Sequence, residues 1–460
     1  MVQLQPTMQW RKHLVRSQRS RLRSGRIAPL LRHLSQQYVT PLRRQFFFSF
    51  GVIGSVMPLM SVFLWKEGGF GFFQIGLATA LANVPMLVSP GLITLLADRR
   101  FDSRRILAVS FLVSGIVLSL MYLIPTLWIR MVLFLFHGLA FVAMLPLQDG
   151  FYFTYAEKQR QLGNIVGPYP TVRVWGTVGF IVPSVLMYFL LRDGASTSRI
   201  LLCAIGFAFA SLINSFTLPS LKPQKGTKKT GVTEVEEEVG ASFVERKKVE
   251  ERTMLPTTQA LRTLFSPQAR FLCLGLALSY MAAVAYYSFI SIYFREVIGI
   301  ADQHIGLVIN IGVVLEVVFT LFMPRLQSLL RLKGIMMVGL AFMALRMILL
   351  AAFPSVWTAV LTQLGHGMEV LALFIAPVMF LDRLAGDQFR NSIQGVFTMA
   401  VGGVARIVGA IAAGFVATIG LQYLLGYAAA LALTALFVIV FKFKTIPAPI
   451  EEVLAEVTPP

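Results

Sequence analysis

Twelve long apolar segments most strongly limit how this chain of 460 residues can fold. A run of roughly 20 apolar residues crosses the ~30 Å hydrocarbon core of a bilayer as a helix. The side chains do not alternate with period two, so the segments do not predict the strands of a membrane barrel. The predicted spans, numbered one to twelve, are 46–65, 73–97, 106–125, 127–147, 174–191, 198–219, 268–292, 304–324, 334–353, 355–380, 392–417 and 421–441.

The spans form two groups of six, separated by a polar segment that is rich in Lys and Glu. We therefore expect an N-terminal six-helix bundle over 46–219, a cytoplasmic linker over 220–267 and a C-terminal six-helix bundle over 268–443. Residues 1–45 and 444–460 are predicted to be cytoplasmic tails. This plan, an all-α membrane protein of two pseudo-symmetric bundles, resembles the major facilitator fold, in which substrate and ions bind between the halves near the bilayer midplane.

Positive charge is concentrated at one side of the predicted membrane protein. The net charge is +19, with ten Lys or Arg in 1–45 and nine in 220–267. The positive-inside rule places both segments in the cytoplasm, so the charge does not require a nucleic-acid partner. Residues 1–45 contain no acid, which fits either a basic tail beside anionic lipid or an organellar targeting segment. We expect an integral multi-pass protein of a bacterial plasma membrane or of an organelle.

Four ionisable side chains fall near the middle of predicted spans. They are Glu316 in span eight, Arg346 in span nine, and His366 and Glu369 in span ten. Such a group costs at least ~2.5–3.5 kcal/mol at mid-bilayer, and is therefore a candidate functional residue. His366 and Glu369 are three positions apart and share a helix face. One interpretation is a buried ion pair between Arg346 and an acid; the other is a proton relay, which also accounts for the second acid and the histidine.

A short loop after span two carries a recognisable charge pattern, LADRRFDSRR over 96–105. It resembles the Asp-Arg loop of major facilitator transporters, with Asp98, Arg99, Arg104 and Arg105 at matching positions. The resemblance implies that these residues brace helix ends during conformational change and that the arginines can bind lipid phosphates. The alternative is an ordinary positive-inside loop.

The four mid-membrane residues carry a closer resemblance, to lactose permease and related oligosaccharide–proton symporters. It implies that Glu316 contributes to substrate binding and that Glu316, Arg346, His366 and Glu369 handle the coupling proton. The stretches PLQDGFYF (146–153) and VRVWGTVGF (172–180) extend it to the first half, where it implies a substrate site. The residues implied for that site are Asp149, Arg173, Phe180 and, again, Glu316.

Several features broaden this resemblance beyond one substrate. RVWGTVGF is equally typical of the related phenylpropionate and nucleoside permeases. Phe180 stands where lactose permease has a tryptophan, and span seven lacks the acid that would pair with a basic residue of span eleven, so Arg406 has no predicted partner. Asp149 has an alternative interpretation as a helix-end residue at the cytoplasmic face.

The sequence therefore predicts a secondary transporter, a proton-coupled symporter of a sugar or nucleoside. The alternatives are a permease for a small aromatic carboxylic acid, a proton-driven exporter, and a non-transporting sensor with the same fold. No Walker loop and no metal-ligand spacing occur in the sequence, so an enzyme is not predicted and the proton is the only coupling ion expected. The expected partners are the small-molecule substrate and membrane lipid, and the protein is expected to be monomeric.

Overall fold

The computed structural model of the protein describes residues 27–88, 102–142, 144–162, 164, 166–221, 256–267 and 269–444. The regular elements in this part of the chain are helices. Those of the first half are Ile27–Val56, Met60–Lys66, Phe72–Asn83, Ser103–Leu123, Leu127–Phe141, Met144–Gln161, Tyr169–Leu190 and Arg199–Ser215. Those of the second half are Pro256–Leu264, Arg270–Glu296, Asp302–Leu321, Met323–Ala352, Val356–Leu361, His366–Val370, Ala376–Phe397, Val404–Ile419 and Leu421–Phe437.

The predicted spans all correspond to apolar helices. Among the described residues, nine helical segments are long and apolar enough to cross a membrane, and three shorter apolar helices stand at spans two, four and six. In span two the α-helix ends at Asn83, and a 3₁₀ turn, Val84–Leu87, follows with Pro85 inside it. Proline cannot donate the backbone hydrogen bond that would continue the α-helix. The prediction of an all-α membrane fold is confirmed.

Some helix ends differ from the predicted boundaries. The first helix begins at Ile27, inside the predicted tail, and Pro256–Leu264 is helical inside the predicted linker. Span four ends at Phe141, and a separate helix, Met144–Gln161, follows it. The run Met323–Ala352 is interrupted at Arg331, where φ is +56°, close to the predicted start of span nine.

Spans one and five pack with their backbones in close contact in the N-terminal bundle. Gly179 lies against the backbone of Phe47, and Gly54 lies against the backbone of Phe180, so neither glycine has room for a side chain. Small residues allow this close approach between membrane helices. The packing turns the face of span five that carries Arg173 toward span one.

The two bundles meet at the ends of the spans opposite the N-terminus, the predicted outer side. Lys66 Nζ lies 3.4 Å from Asp302 Oδ2, and Asn310 Nδ2 donates to the Ile181 carbonyl oxygen at 3.4 Å. Because spans five and eight are in contact here, both helices run side by side toward mid-membrane. This arrangement brings the span that carries Glu316 next to the span that carries Arg173.

Span ten is not a continuous α-helix. A 3₁₀ segment, Thr362–Gly365, precedes His366–Val370, and a π-helical segment, Leu371–Ile375, follows it. Pro377 lacks the N–H that would bond the Leu373 carbonyl, and the Tyr280 hydroxyl donates to that oxygen at 2.9 Å instead. Segments of π-helix are frequent at functional sites. The break therefore sets the orientation of the turn that carries His366 and Glu369.

Candidate functional site

Arg346 and Glu369 form a fully buried ion pair. Arg346 Nη1 lies 3.1 Å from Glu369 Oε2, and each side chain is only 2% exposed. Arg346 Nε also donates to the Thr362 carbonyl oxygen at 3.1 Å, and the guanidinium lies over the Tyr286 ring at 5.1 Å. Of the two acids that the sequence offered to Arg346, the structure therefore pairs it with Glu369.

Glu316 and His366 form a second, looser pair across spans eight and ten. His366 Nε2 lies 3.8 Å from Glu316 Oε2, a distance at which an ion pair forms when the imidazole is protonated. Gly312, one turn before Glu316, lies against the His366 side chain, and a methyl group there would be 2.9 Å from His366 Cβ. The glycine thus lets the histidine approach span eight closely.

Tyr287 of span seven joins the two pairs. Its hydroxyl donates to Glu369 Oε1 at 3.0 Å and lies 3.2 Å from His366 Nδ1. The four predicted coupling residues and Tyr287 therefore stand in a row: Glu316, His366, Tyr287, Glu369 and Arg346. A hydroxyl that donates to a carboxylate can accept from an imidazole N–H, so the row can conduct a proton.

Exposure of these side chains falls along the row. The Glu316 side chain is 37% exposed, that of His366 is 13% exposed and that of Glu369 is 2% exposed. A partly exposed carboxylate is thus linked through an imidazole and a phenol to a carboxylate enclosed by protein. The sequence predicts one depth for Glu316, His366 and Glu369. The decrease in side-chain exposure from Glu316 to Glu369 depends on the rotation of each helix about its axis.

Arg173, Asp149 and two aromatic residues form a cluster in the N-terminal half. The Arg173 guanidinium lies over the Phe50 ring at 4.2 Å, a cation–π contact made through the face of the guanidinium. The Tyr169 hydroxyl donates to Asp149 Oδ1 at 2.7 Å. Asp149 lies inside the helix Met144–Gln161.

Arg173 lies within electrostatic range of Asp149 in its own bundle and of Glu316 in the other bundle. Among the described residues it forms no ion pair with either acid. Phe180 lies two helical turns beyond Arg173 and is half-buried, and no described hydrogen bond, ion pair or ring contact joins it to Asp149 or Arg173. The structure therefore places Asp149 and Glu316 within electrostatic range of Arg173, and leaves Phe180 on the same helix as Arg173 but apart.

The predicted gating loop is described in part. Asp98 and Arg99 lie outside the described residues, and Arg105 is exposed. Arg104 Nη1 donates to the Leu218 carbonyl oxygen at 3.2 Å, and its Nε lies 3.7 Å from Asp102 Oδ2. Asp102 begins the helix of span three and accepts the Ser220 hydroxyl at 2.6 Å. Arg104 and Asp102 thus tie span three to the end of span six.

A family model described as the MFS_1 like family matches residues 39–424 of the chain. The chain belongs to this family. It is therefore a major facilitator transporter, an integral multi-pass membrane protein that carries a small-molecule substrate, and not an enzyme. The predicted kinship with the group that includes nucleoside and phenylpropionate permeases is confirmed.

Relatives of this facilitator cover nearly its whole length. The nucleoside permease NupG of Escherichia coli (strain K12) is 23% identical over 427 residues, 88% of this chain and 96% of that protein. The probable 3-phenylpropionic acid transporter of the same organism is 24% identical over 375 residues, 79% of this chain and 86% of that protein. A crystal structure of the nucleoside transporter NupG superposes with a TM-score of 0.72 at 19% identity, covering 88% of this chain and 99% of that one, which shows a shared fold.

Two tyrosines of the facilitator contribute hydroxyls that the sequence does not reveal. From the sequence, Tyr287 is either a substrate contact or a packing residue, and Tyr169 carries no distinguishing feature. Tyrosine is common in membrane helices, so no signal in the sequence distinguishes these two hydroxyls from others. Their contacts with Glu369, His366 and Asp149 depend on neighbouring helices.

Proposed function

We propose that this facilitator is a proton-coupled symporter that carries a small polar solute of the nucleoside or sugar class inward by alternating access. The observation that carries the proposal is the row from Glu316 through His366 and Tyr287 to Glu369, with exposure falling from 37% to 2%. A structural ion pair needs one acid and one base. The additional acid, imidazole and hydroxyl supply a route by which a proton reaches Glu369.

Protonation of Glu369 provides the link between the proton and helix movement. While Glu369 is a carboxylate, it holds Arg346 at 3.1 Å and so holds span ten to span nine. A proton on Glu369 removes that attraction and leaves Arg346 with the Thr362 carbonyl and the Tyr286 ring. Because Thr362 also belongs to span ten, Arg346 still contacts that span, but the connection is weaker and a relative shift of spans nine and ten, as alternating access requires, costs less free energy.

The substrate site of the proposal lies between Arg173 and Glu316. A guanidinium offers a fixed fork of donors, and carboxylates accept from hydroxyls, so Arg173, Asp149 and Glu316 suit vicinal hydroxyl groups of a sugar or ribose. Phe180 is proposed to stack on the base or sugar ring as the substrate enters. Because NupG is a nucleoside permease, a nucleoside is the first substrate to test.

A solute panel on proteoliposomes with an imposed pH gradient tests the substrate class. We expect accumulation of a nucleoside or a sugar that depends on an inwardly directed proton gradient and collapses with a protonophore. Accumulation driven by an outwardly directed gradient instead would indicate an exporter. Binding of a solute without any accumulation would indicate a sensor.

Glu369→Gln tests the coupling step. A neutral amide mimics the protonated carboxyl, so accumulation against a gradient should be lost while exchange of labelled for unlabelled substrate continues at near the original rate. Glu296→Gln is a matched control, because Glu296 is a paired carboxylate at the end of the helix of span seven, 3.0 Å from Arg295. If Glu369→Gln abolished exchange together with accumulation, the residue would instead be a structural partner of Arg346.

A further inference from the structure

Arg406 of span eleven differs from the other interior arginines. Arg346 pairs with Glu369, the charge of Arg173 acts on Asp149 and Glu316, and that of Arg130 acts on Glu67. Within the described part of the chain, the contacts of Arg406 include no carboxylate. The guanidinium lies over the Tyr280 ring at 4.3 Å and near the Phe374 ring at 5.7 Å.

The surroundings of Arg406 form a cradle between the two bundles. Nη1 lies 3.8 Å from the Met86 Sδ of span two, whereas Tyr280 and Phe374 belong to spans seven and ten. Arg406 therefore faces the region between the halves, where facilitators bind their ligands. A methyl group at Gly402 would lie only 3.1 Å from Nη1, so this glycine keeps space beside the guanidinium open.

The contact with the Tyr280 ring does not use the N–H donors in the plane of the guanidinium, of which Nη1 contacts Met86 Sδ at 3.8 Å. Cation–π contacts use the faces, whereas bidentate hydrogen bonds to an anion use the N–H groups in the plane. A thioether is a weak acceptor and does not replace a carboxylate. Arg406 is also partly exposed. An interior cation with an aromatic ring over its face and no carboxylate among its described contacts suits an anion attached to an apolar body.

We propose that Arg406, Tyr280, Phe374, Met86 and Gly402 form an anion subsite that takes the carboxylate of a small aromatic solute. The subsite is separate from the Arg173 cluster, which suits hydroxyl groups. The inference rests on one part of the proposed function, namely that solutes enter the region between the two halves. A carrier with both clusters takes an aromatic carboxylate in addition to a neutral solute.

Ligand binding to purified protein in nanodiscs of neutral lipid tests the subsite. The probes are phenylacetate and its uncharged counterpart phenylacetamide. We expect the wild-type protein to bind phenylacetate and Arg406→Gln to bind it roughly 10- to 100-fold more weakly, as expected when a charge-assisted hydrogen-bonded pair is lost. Arg406→Lys should retain part of the affinity, and Gly402→Ala should weaken binding by filling the space beside Nη1. Binding of phenylacetamide should be weak and unaffected by these changes.

The control is Arg270→Gln, because Arg270 also stacks on a phenyl ring, that of Phe271 at 4.8 Å, but is exposed at the start of span seven. Equal binding of both probes, or full binding by a folded Arg406→Gln protein, would overturn the proposal. So would loss of phenylacetate binding in Arg173→Gln alone, which would assign the anion to the other cluster.

Displacement of phenylacetate by anionic lipid added to the nanodiscs would identify a lipid headgroup as the natural occupant and reject the solute. Nucleoside accumulation without any phenylacetate binding would leave the symporter proposal intact and reject this one.

Discussion

In the proposed function, the ion pair of Arg346 and Glu369 contributes both to stability and to coupling. Both side chains are 2% exposed, so each is desolvated and depends on the other for compensation. An apolar pair of similar volume would hold spans nine and ten together at least as well. Helix packing alone therefore gives no reason for an ion pair at this position, and the proposed function assigns it to a proton that arrives at Glu369.

A double substitution separates the two roles. Arg346→Ala should destabilise the protein by about 3–5 kcal/mol, because Glu369 is left buried without a partner. Adding Glu369→Leu to Arg346→Met should restore most of the melting temperature, since no charge remains unpaired, yet proton-driven accumulation should stay absent. Thermal unfolding and uptake are measured on the same preparations. Accumulation by the double variant would show that the pair serves the fold alone.

Tyr287 is predicted to conduct the proton between His366 and Glu369. Tyr287→Phe keeps the ring but removes the hydroxyl that contacts both groups at 3.2 and 3.0 Å. Proton-coupled uptake should slow by on the order of tenfold or more, in keeping with loss of one proton-transfer group. Substrate exchange should change little.

Tyr293→Phe is the matched control for this prediction. Tyr293 lies on the same helix, and its buried hydroxyl donates to the Leu350 carbonyl oxygen rather than to a titratable group. Its loss should lower the melting temperature without altering the ratio of uptake to exchange. A Tyr287→Phe protein with wild-type coupled uptake would exclude the hydroxyl from the relay.

The helices of the N-terminal bundle are held at their outer ends by side-chain caps. The Glu67 carboxylate, which follows span one, accepts hydrogen bonds at the beginning of the helix of span six. Ser196 Oγ donates at 2.6 Å, Thr197 Oγ1 at 2.7 Å and the Ser198 backbone N–H at 3.2 Å. Burial by itself would raise the pKa of Glu67, but these hydrogen bonds hold the pKa below its usual value. The carboxylate form therefore stabilises the junction of spans one and six.

The cap predicts a pH dependence of stability with a defined sign. Because the pKa of Glu67 is lower in the folded protein than in the unfolded chain, its contribution is present above about pH 4.5 and is lost as the pH falls through the folded value. Glu67→Gln should lower stability at pH 7 by on the order of 1 kcal/mol or less, since the site is partly exposed and screened by solvent.

The difference between Glu67→Gln and the wild type should shrink as the solution is acidified. Melting temperatures from pH 7 down to pH 3 check this expectation. Glu157→Gln is the control, because Glu157 is an exposed carboxylate paired with Arg160 at 3.8 Å and caps no helix. A Glu67→Gln deficit that stayed constant with pH would argue against a contribution from the ionised carboxylate.

The relation between the two bundles is set by contacts at their outer ends. Lys66 of the N-terminal half lies 3.4 Å from Asp302 of the C-terminal half, and Ser291 Oγ donates to the Pro58 carbonyl oxygen. Gly76 and Gly414 pack against each other where spans two and eleven cross. A substrate that enters from the outer side requires these contacts to separate, so we interpret them as an outer gate.

Charge reversal at this gate should shift the protein toward an outward-open form. Lys66→Glu places two carboxylates together and should increase labelling of a cysteine at Ser184, which is 2% exposed, by an impermeant maleimide. An increase of about two- to fivefold is expected, because a partly exposed pair contributes at most about 1 kcal/mol. Cys203 and Cys273 are first replaced by alanine in all variants.

Restoration by a second reversal makes the test specific. Asp302→Lys combined with Lys66→Glu should return labelling only part of the way toward the starting level, because Asp302 also pairs with Arg295 at 3.3 Å and the introduced lysine is repelled by that guanidinium. Arg199→Glu changes charge at the same side of the protein, but Arg199 contacts the Leu190 carbonyl within its own bundle, so labelling should not respond. Unchanged labelling in Lys66→Glu would show that this ion pair does not hold the gate.

Hydropathy in the sequence was sufficient for the number and order of the helices, and it predicts the depth of the charged residues. A membrane helix must satisfy its backbone internally and rises 1.5 Å per residue, so a run of apolar residues specifies a span, and a position within it specifies depth. Glu316, Arg346, His366 and Glu369 can therefore be grouped from the sequence alone. The assignment of Arg173 and Asp149 to one substrate site came from resemblance to known permeases.

The partners of these residues could not be read from the sequence, because the rotation of each helix about its axis depends on its neighbours. Glycines at 54, 179 and 312 determine how closely facing helices approach, and Pro377 breaks span ten so that its middle turn is reoriented. As a result Arg346 pairs with Glu369 rather than with Glu316, Tyr287 joins His366 to Glu369, and Arg406 lies over aromatic rings instead of beside an acid. Depth is a property of one segment and its hydrophobicity, whereas contact is a property of several packed helices.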